Sequence, residues 1–329
     1  MQSGRLTNLD IGSIKLTLPV YFPSVSSVKT NLFPLDYIRI LNSLSSLYGQ
    51  FLVSAFDLQH AGPSQKEIQG ELASAMSKGT IILMDSGNYE SYWKDARAVW
   101  QQSTFHDALR KFPCCLAFGF DEQLPPENPS THIRMLLERY AQDQATANST
   151  PVIPIVHGEP DQLPYLVSEL ARISGAAMIA TPERRLGDGL FNRAKTVKKI
   201  RQTLNDLDHY VALHLLGTGN PLSIAVYSIA GADSFDGLEW CQTVVDHNTG
   251  LLSHFTHADL FKAQTRWGGE DLPFAVRVLA HNLEFYSSWM TGLREAMHEA
   301  RGINFCKLSF PKYVFDSCSA VLGWESLYD

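Results

Sequence analysis

Apolar positions along this chain alternate between two rhythms. Short apolar runs of strand length occupy residues 19–25, 50–56, 79–84, 115–120, 152–156, 176–180 and 211–216, and another ends at Phe235-Asp236. Between them, residues 35–48, 65–77, 93–112, 131–147, 163–174, 191–207 and 222–230 space their apolar side chains at the helical period. Residues 5–16 alternate apolar and polar around Gly12 and read as a short hairpin. Thr181-Pro182-Glu183-Arg184 reads as a loop, and Gly217-Thr218-Gly219 as a tight turn. After about residue 270 the pattern becomes all-helical, giving a C-terminal helical addition over 270–329.

Seven or eight strands alternating with helices over about 250 residues predict an α/β chain, a (β/α)₈ TIM barrel rather than an open doubly wound sheet. The whole chain, 1–329, reads as one barrel domain with an N-terminal β-hairpin and the helical C-terminal addition. No Gly-x-Gly-x-x-Gly follows the first strand, which weighs against dinucleotide binding.

Composition narrows the picture. The 45% hydrophobic content of 329 residues is enough for a large core. No run of about 18 apolar residues is present to span a membrane. The start, Met1-Gln2-Ser3-Gly4-Arg5, lacks a signal-peptide layout. Five cysteines (114, 115, 241, 306, 318) are an odd number in a long chain and do not read as a disulfide framework. Together these features read as cytoplasmic. A formal net charge of −7 argues against a uniformly basic nucleic-acid coat. The densest positive cluster, residues 193–201, is either a solvated helix face or a local binding patch.

Three acidic residues end predicted strands: Asp85, Asp121 and Asp236. A parallel barrel brings strand ends to one face, where three carboxyls divide into nucleophile, acid/base and hydrogen-bond acceptor. Neighbouring carboxylates push each other's pKa values apart, and carboxylate nucleophiles suit oxocarbenium-like glycosidic carbons. The alternative is that one or two of them merely cap loops, Asp236 included.

Several stretches carry a family resemblance. Asp85-Ser86-Gly87-Asn88-Tyr89-Glu90 resembles the Asp-Ser-Gly-Gly-Phe/Tyr-Gln motif of tRNA-guanine transglycosylases. Residues 18–29, with Leu-Pro-Val-Tyr-Phe-Pro-Ser-Val, are similar to that family's first strand and loop. Phe120-Asp121-Glu122 resembles its Phe-Asp-Glu, and Ile155-Val156-His157-Gly158 its Ile-Val-Gln-Gly. Residues 215–221 and Asp233-Ser234-Phe235-Asp236 resemble its Leu-Met-Gly-Val-Gly-x-Pro and Asp-Met-Phe-Asp. The resemblance covers about residues 5–300 and implies base exchange on a nucleic acid. It makes Asp236 the nucleophile on the anomeric carbon of a guanosine and Asp85 the acid/base. Asp121 would accept from the Watson–Crick edge, and Ser86 and Gly87 would shape the base slot. His157, in place of the family's glutamine, and Gly158 would contact the base. Gly217 and Gly219 would let backbone approach it. The target nucleotide must leave its stack to reach such a pocket.

Departures refine that expectation. After Asp236 the family has Pro-Thr-Arg and further basic residues that read an anticodon loop, where this chain has Gly237-Leu238-Glu239-Trp240-Cys241. The better match is the DNA-modifying branch, which inserts 7-cyano-7-deazaguanine into DNA. The segment 180–184 lacks the family's Gly-Gly pair. The family's structural zinc is held by a cysteine triplet and a histidine. His281-Asn282-Leu283 matches the histidine helix, but the cysteine motif is absent. Cys241, His254, His257 and His281 remain the weak candidates for a different site. The expected partners are therefore DNA, with tRNA as the alternative, a 7-deazaguanine base, and an accessory protein delivering the strand. Arg184, Arg185 and residues 195–201 are the candidate contact patch. Rival readings are a non-catalytic partner subunit and a barrel glycosidase with paired carboxylates.

Overall fold

The computed structural model describes residues 5–121 and 123–324, so Glu122 of the Phe-Asp-Glu stretch lies outside the described residues, as do 1–4. Strands β1 (Asn8–Ile11) and β2 (Ile14–Thr17) form the expected hairpin. Next come β3 (Val20–Val25), α1 (Pro34–Ser43) and β4 (Gln50–Ser54). After them run α2 (Ala55–Gln59), α3 (Gln65–Ser77) and β5 (Ile81–Asp85). Helices α4 (Asn88–Trp93) and α5 (Gln102–Lys111) lead to β6 (Leu116–Phe118). Then follow α6 (Pro129–Thr146), β7 (Val152–Ile153), α7 (Leu163–Ser174) and β8 (Met178–Pro182). The ring ends with α8 (Gly189–Leu204), β9 (Ala212–Leu216), α9 (Pro221–Ala230) and β10 (Ser234–Gly237).

Strands β3 to β10 lie side by side and parallel, with β10 back against β3. A bridge between Ile155 and Ala180 joins the β7 and β8 sides. The result is an eight-stranded parallel barrel surrounded by helices, a (β/α)₈ fold. Beyond it lie α10 (Glu239–Gln242) and a hairpin of β11 (Thr243–Val245) and β12 (Leu252–His254). Helices α11 (Phe274–His298), α12 (Gly302–Ser309) and α13 (Lys312–Leu322) complete the chain. Among the described residues no helix is long and apolar enough to cross a membrane, and all five cysteines are free.

Strand periodicity sorts the core into two layers. Val20, Phe22, Leu52, Leu83, Leu116, Phe118, Ile153 and Met178 fill the barrel, and Leu9, Ile11 and Leu16 of the hairpin pack among them. Gly12 of that hairpin is so close to Pro151, just ahead of β7, that a Cβ there would come within 2.7 Å of it. The hairpin therefore stoppers the end where the strands begin. The alternate positions, such as Tyr21, Phe51, Val53, Ile82 and Met84, pack outward against the helices.

Four expectations change. The helix read over 93–112 begins only at Gln102, as α5: a separate helix, α4, ends at Trp93, where Asp95 turns left-handed (φ 54°) and Ala96 N–H returns to the Ser91 carbonyl. The strand read over 50–56 stops at Ser54, which caps α2, and Asp57 falls in that helix's first turn. Thr181 and Pro182 extend β8 rather than forming a loop. The β11–β12 hairpin has no counterpart in the periodicity reading.

Below the barrel, Asp233 is fully buried between two arginines, Arg5 at 3.1 Å and Arg201 at 2.6 Å. It also accepts from the Tyr210 hydroxyl and the Leu213 N–H, tying the start of β10 to α8 and β9. Removing one partner of a buried pair strands the other charge, which costs about 3–5 kcal/mol. Asp233→Ala should therefore lose stability on that scale in urea unfolding. A loss under about 1 kcal/mol would mean that solvent screens the cluster as it does a surface pair.

Candidate active site

Counting upward in twos from the barrel interior, the last inward residue of several strands changes from apolar to polar. On β3 it is Ser24, on β4 Ser54, on β5 Asp85, and on β10 Asp236, while β9 places His214 below Leu216. These tops surround a cleft of about 320 Å³, at the lower end of the range of small-molecule sites. Its lining includes Ser24, Asp85, Ser86, Asp121, Gly217 and Asp236, with Leu52 and Ile155 as apolar walls. Three acids distant in sequence thus share one opening at the carboxyl ends of the strands, where barrel enzymes carry their chemistry.

Asp236 is held by three donors. The Ser24 hydroxyl reaches Oδ2 at 2.8 Å, while Gly217 N–H and His214 Nε2 reach Oδ1 at 3.0 and 3.1 Å. Because the carboxylate only accepts, His214 Nε2 carries the hydrogen and Nδ1 takes the Ser234 hydroxyl at 2.7 Å. Gly217 has φ +75°, the left-handed turn that aims its N–H at the carboxylate. The plane of the Asp236 carboxyl is fixed from three sides.

Asp121 is surrounded more completely. Ser86 Oγ and Asn88 Nδ2 donate to Oδ1 at 2.8 and 2.6 Å, and His157 Nε2 to Oδ2 at 2.7 Å, with the Gln123 amide alongside. Burial alone would raise this acid. The His157 hydrogen bond and charge, then Asn88 and Ser86, outweigh burial and hold it at about 2. Asp85 moves the other way. Burial, then the charges of Glu90 and Asp121, push it well above the carboxylate range, and one Gly87 N–H at 2.9 Å does not compensate. Two neighbouring acids therefore differ sharply in proton affinity, one made to hold a proton and one to stay charged.

Three further acids line the cleft that strand-end reasoning did not select: Glu183, paired with Arg193 at 3.0 Å, and Glu90 and Glu239. Glu90 accepts from Ser26 at 2.6 Å and Ser54 at 2.8 Å, and burial and the Asp57 charge raise it to about 7. Glu239, half-buried beyond β10, is also raised to about 7, first by burial. Asn282 holds the Glu239 segment by donating to the Trp240 and Thr243 carbonyls at 2.8 Å and accepting from Val245 N–H. The Tyr286 hydroxyl secures the Gly219 carbonyl at 2.6 Å. Glu90 was visible as the last residue of the Asp85 motif, but its two donors come from elsewhere, Ser26 from the loop after β3 and Ser54 from the end of β4.

The remaining expected residues are placed as follows. Gly87 starts α4 at φ +84°, and a Cβ there would meet Phe56 at 2.5 Å. His157 does not reach the cleft: it is 1% exposed and stands behind Asp121, so it orients that acid instead of facing a base carbonyl. Gly158 backs onto Leu163 and Leu166 of α7, where it permits close packing and does not line the cleft. Gly219 lies beneath the cleft against Tyr21 and the Glu239 carboxyl.

The weak metal candidates do not converge, and among the described residues no group of three or more His, Cys, Asp or Glu is placed to hold a metal. His281 Nε2 pairs with the Val245 carbonyl at 2.8 Å, Cys241 Sγ faces the Leu238 carbonyl, and the His257 ring lies 5.7 Å from that of His254. In the basic patch, Arg201 is taken up by Asp233, while Lys195, Lys198 and Lys199 project from α8 on the barrel's outer wall. Arg184 lines the cleft and donates to Gln123 at 2.7 Å, and Arg185 reaches the Gln123 carbonyl at 2.9 Å. No protein-family model matches the chain, and no curated protein matches it.

The raised Glu90 makes stability depend on pH. Its acid lies near 4.5 when free and at about 7 here, so the folded state holds the proton more tightly. That favours folding below pH 4.5 and is lost as pH rises through about 7, by on the order of 3 kcal/mol. Glu90→Gln should match the wild type at pH 5 and exceed it at pH 8 in urea unfolding. Equal stabilities at both pH values would refute the shift. Asp121 acts in a separate window, losing its contribution only as pH falls from 3.8 toward 2.

Proposed function

We propose that this protein is a base-exchange transglycosylase that replaces guanine in nucleic acid, DNA by preference, with a 7-deazaguanine such as 7-cyano-7-deazaguanine. The observation that carries this reading is one cleft with three carboxyls in unlike states: Asp236 clamped, Asp85 proton-holding and Asp121 charged. They match the order and spacing of the transglycosylase-like motifs. In this reading the Asp236 carboxylate attacks the anomeric carbon and the bond to the guanine N9 breaks. The departing base takes its proton from Asp85, leaving a glycosyl ester on Asp236. The incoming base gives its N9 proton back to Asp85, and N9 attacks the same carbon and releases Asp236.

Asp121 would receive the N–H groups of the guanine-type edge. Of its four side-chain donors, Ser86, Asn88 and Gln123 line the cleft, and in this reading Gln123 gives way to the base. DNA is favoured because an acid, Glu239, stands where the transglycosylases have basic anticodon contacts. Intact Asp85, Asp121 and Asp236 weigh against a purely non-catalytic subunit.

Labelled guanine or 7-cyano-7-deazaguanine should enter DNA when incubated with the protein. Asp236→Ala should reduce incorporation by at least about a thousandfold, and Asp85→Asn by roughly a hundredfold or more. Label in tRNA alone would make tRNA the substrate. No label in single-stranded DNA, duplex DNA or tRNA, and no covalent adduct at Asp236, would end the reading.

A further inference from the structure

Helix α4 presents Tyr89, Tyr92 and Trp93 to solvent, at spacings that place all three on one side of the helix. Tyr92 and Trp93 keep 54% and 48% of their surface exposed, an unusual state for two adjacent large rings. Tyr89 lines the cleft, so the strip begins at the opening and runs outward. Trp93 lies 6.3 Å from Tyr89 and 5.5 Å from Tyr92, the latter ring perpendicular to it. Lys29, from the loop after β3, holds its ammonium 3.8 Å above the Trp93 ring, and the Arg97 guanidinium lies 4.6 Å from the Tyr92 ring. Lys94 is exposed beside them, and Asp95 is the one acid in residues 91–100. In a chain of net charge −7, three cations interleaved with exposed rings form a local exception.

We propose that this strip binds a single-stranded stretch of polynucleotide, stacking the bases next to the nucleotide in the cleft. This rests on the base-exchange reading for its register but not for its chemistry. Bases stack on aromatic faces irrespective of sequence, and cations between the rings meet the phosphates that connect those bases. A duplex offers neither free base faces nor a path into a cleft of about 320 Å³, whereas a strand with one nucleotide turned inward satisfies both. The strip thus supplies the positive contact surface that the outer lysines of α8 and the buried Arg201 do not.

Fluorescence anisotropy with short single-stranded DNA, single-stranded RNA and duplex DNA tests this on the intact chain. The wild type should bind single strands in preference to duplex. Trp93→Ala and Arg97→Glu should each weaken single-strand binding about tenfold. Trp93→Phe should recover most of it, and Lys199→Glu, on the barrel's outer wall, should bind like the wild type. The salt dependence of binding should be shallower for Arg97→Glu than for Trp93→Ala. Unchanged melting temperatures would show that both exposed positions leave the fold intact. Wild-type affinity in Trp93→Ala and Arg97→Glu, or no single-strand binding by the wild type, would overturn the proposal. Label incorporation separates the two readings: ring-dependent binding without incorporation would leave the strip standing and remove base exchange. Incorporation with unchanged KM in Trp93→Ala would do the reverse. DNA and RNA arms that lose affinity alike would assign the strip to the strand backbone and bases, and a DNA-only loss would tie it to DNA.

Discussion

Closing eight parallel strands into a ring brings every strand's carboxyl end to one mouth, and most of what is particular to this protein follows from that constraint. Below the mouth the inward positions are apolar apart from the paired His214 and Ser234, and the hairpin seals them from water. At the mouth the same periodicity delivers Ser24, Ser54, Asp85 and Asp236, so polar groups converge over a dry floor. Charge is expensive there unless it is paired or hydrogen-bonded.

The cleft meets that cost differently at each acid. Asp121 keeps its charge because four side chains donate to it, His157 foremost. Asp85 has one backbone donor and acidic neighbours, so its proton is retained. Glu90 and Glu239 lie between those limits, at about 7. Acids of the same type are separated by their surroundings, which is how a single pocket comes to hold both a proton donor and a fixed anion. His157 shows how a residue can matter without touching a ligand: it holds the acid that faces the cleft.

Support for the mouth comes from outside the barrel. Helix α11 uses Asn282 to fix the segment that carries Glu239 and Tyr286 to fix the turn at Gly219, and its Phe285, Trp289 and Met290 lie in the core. Helix α11 is thus part of the site's foundation. After β5, the left-handed Asp95 follows the end of α4, and Tyr92 and Trp93 stand exposed beside Lys94 and Arg97.

Much of this was legible in the chain. Local periodicity specified the hairpin, α3 at residues 65–77, the strand-helix alternation and hence the barrel, because each depends on neighbours a few positions away. Asp85 and Asp236 stood out at strand ends for the same reason. Only the tertiary structure decided which other groups joined them. Ser24 meets Asp236 across 212 positions of sequence, and Ser26 and Ser54 meet Glu90 across 64 and 36. It also sent His157 behind Asp121, turned Gly158 toward α7, kept the candidate metal ligands apart and committed Arg201 to a buried pair. Sequence spacing determines which way a side chain points on its own element. Ring closure and packing determine what it faces, and burial and hydrogen bonds at that point set its proton affinity.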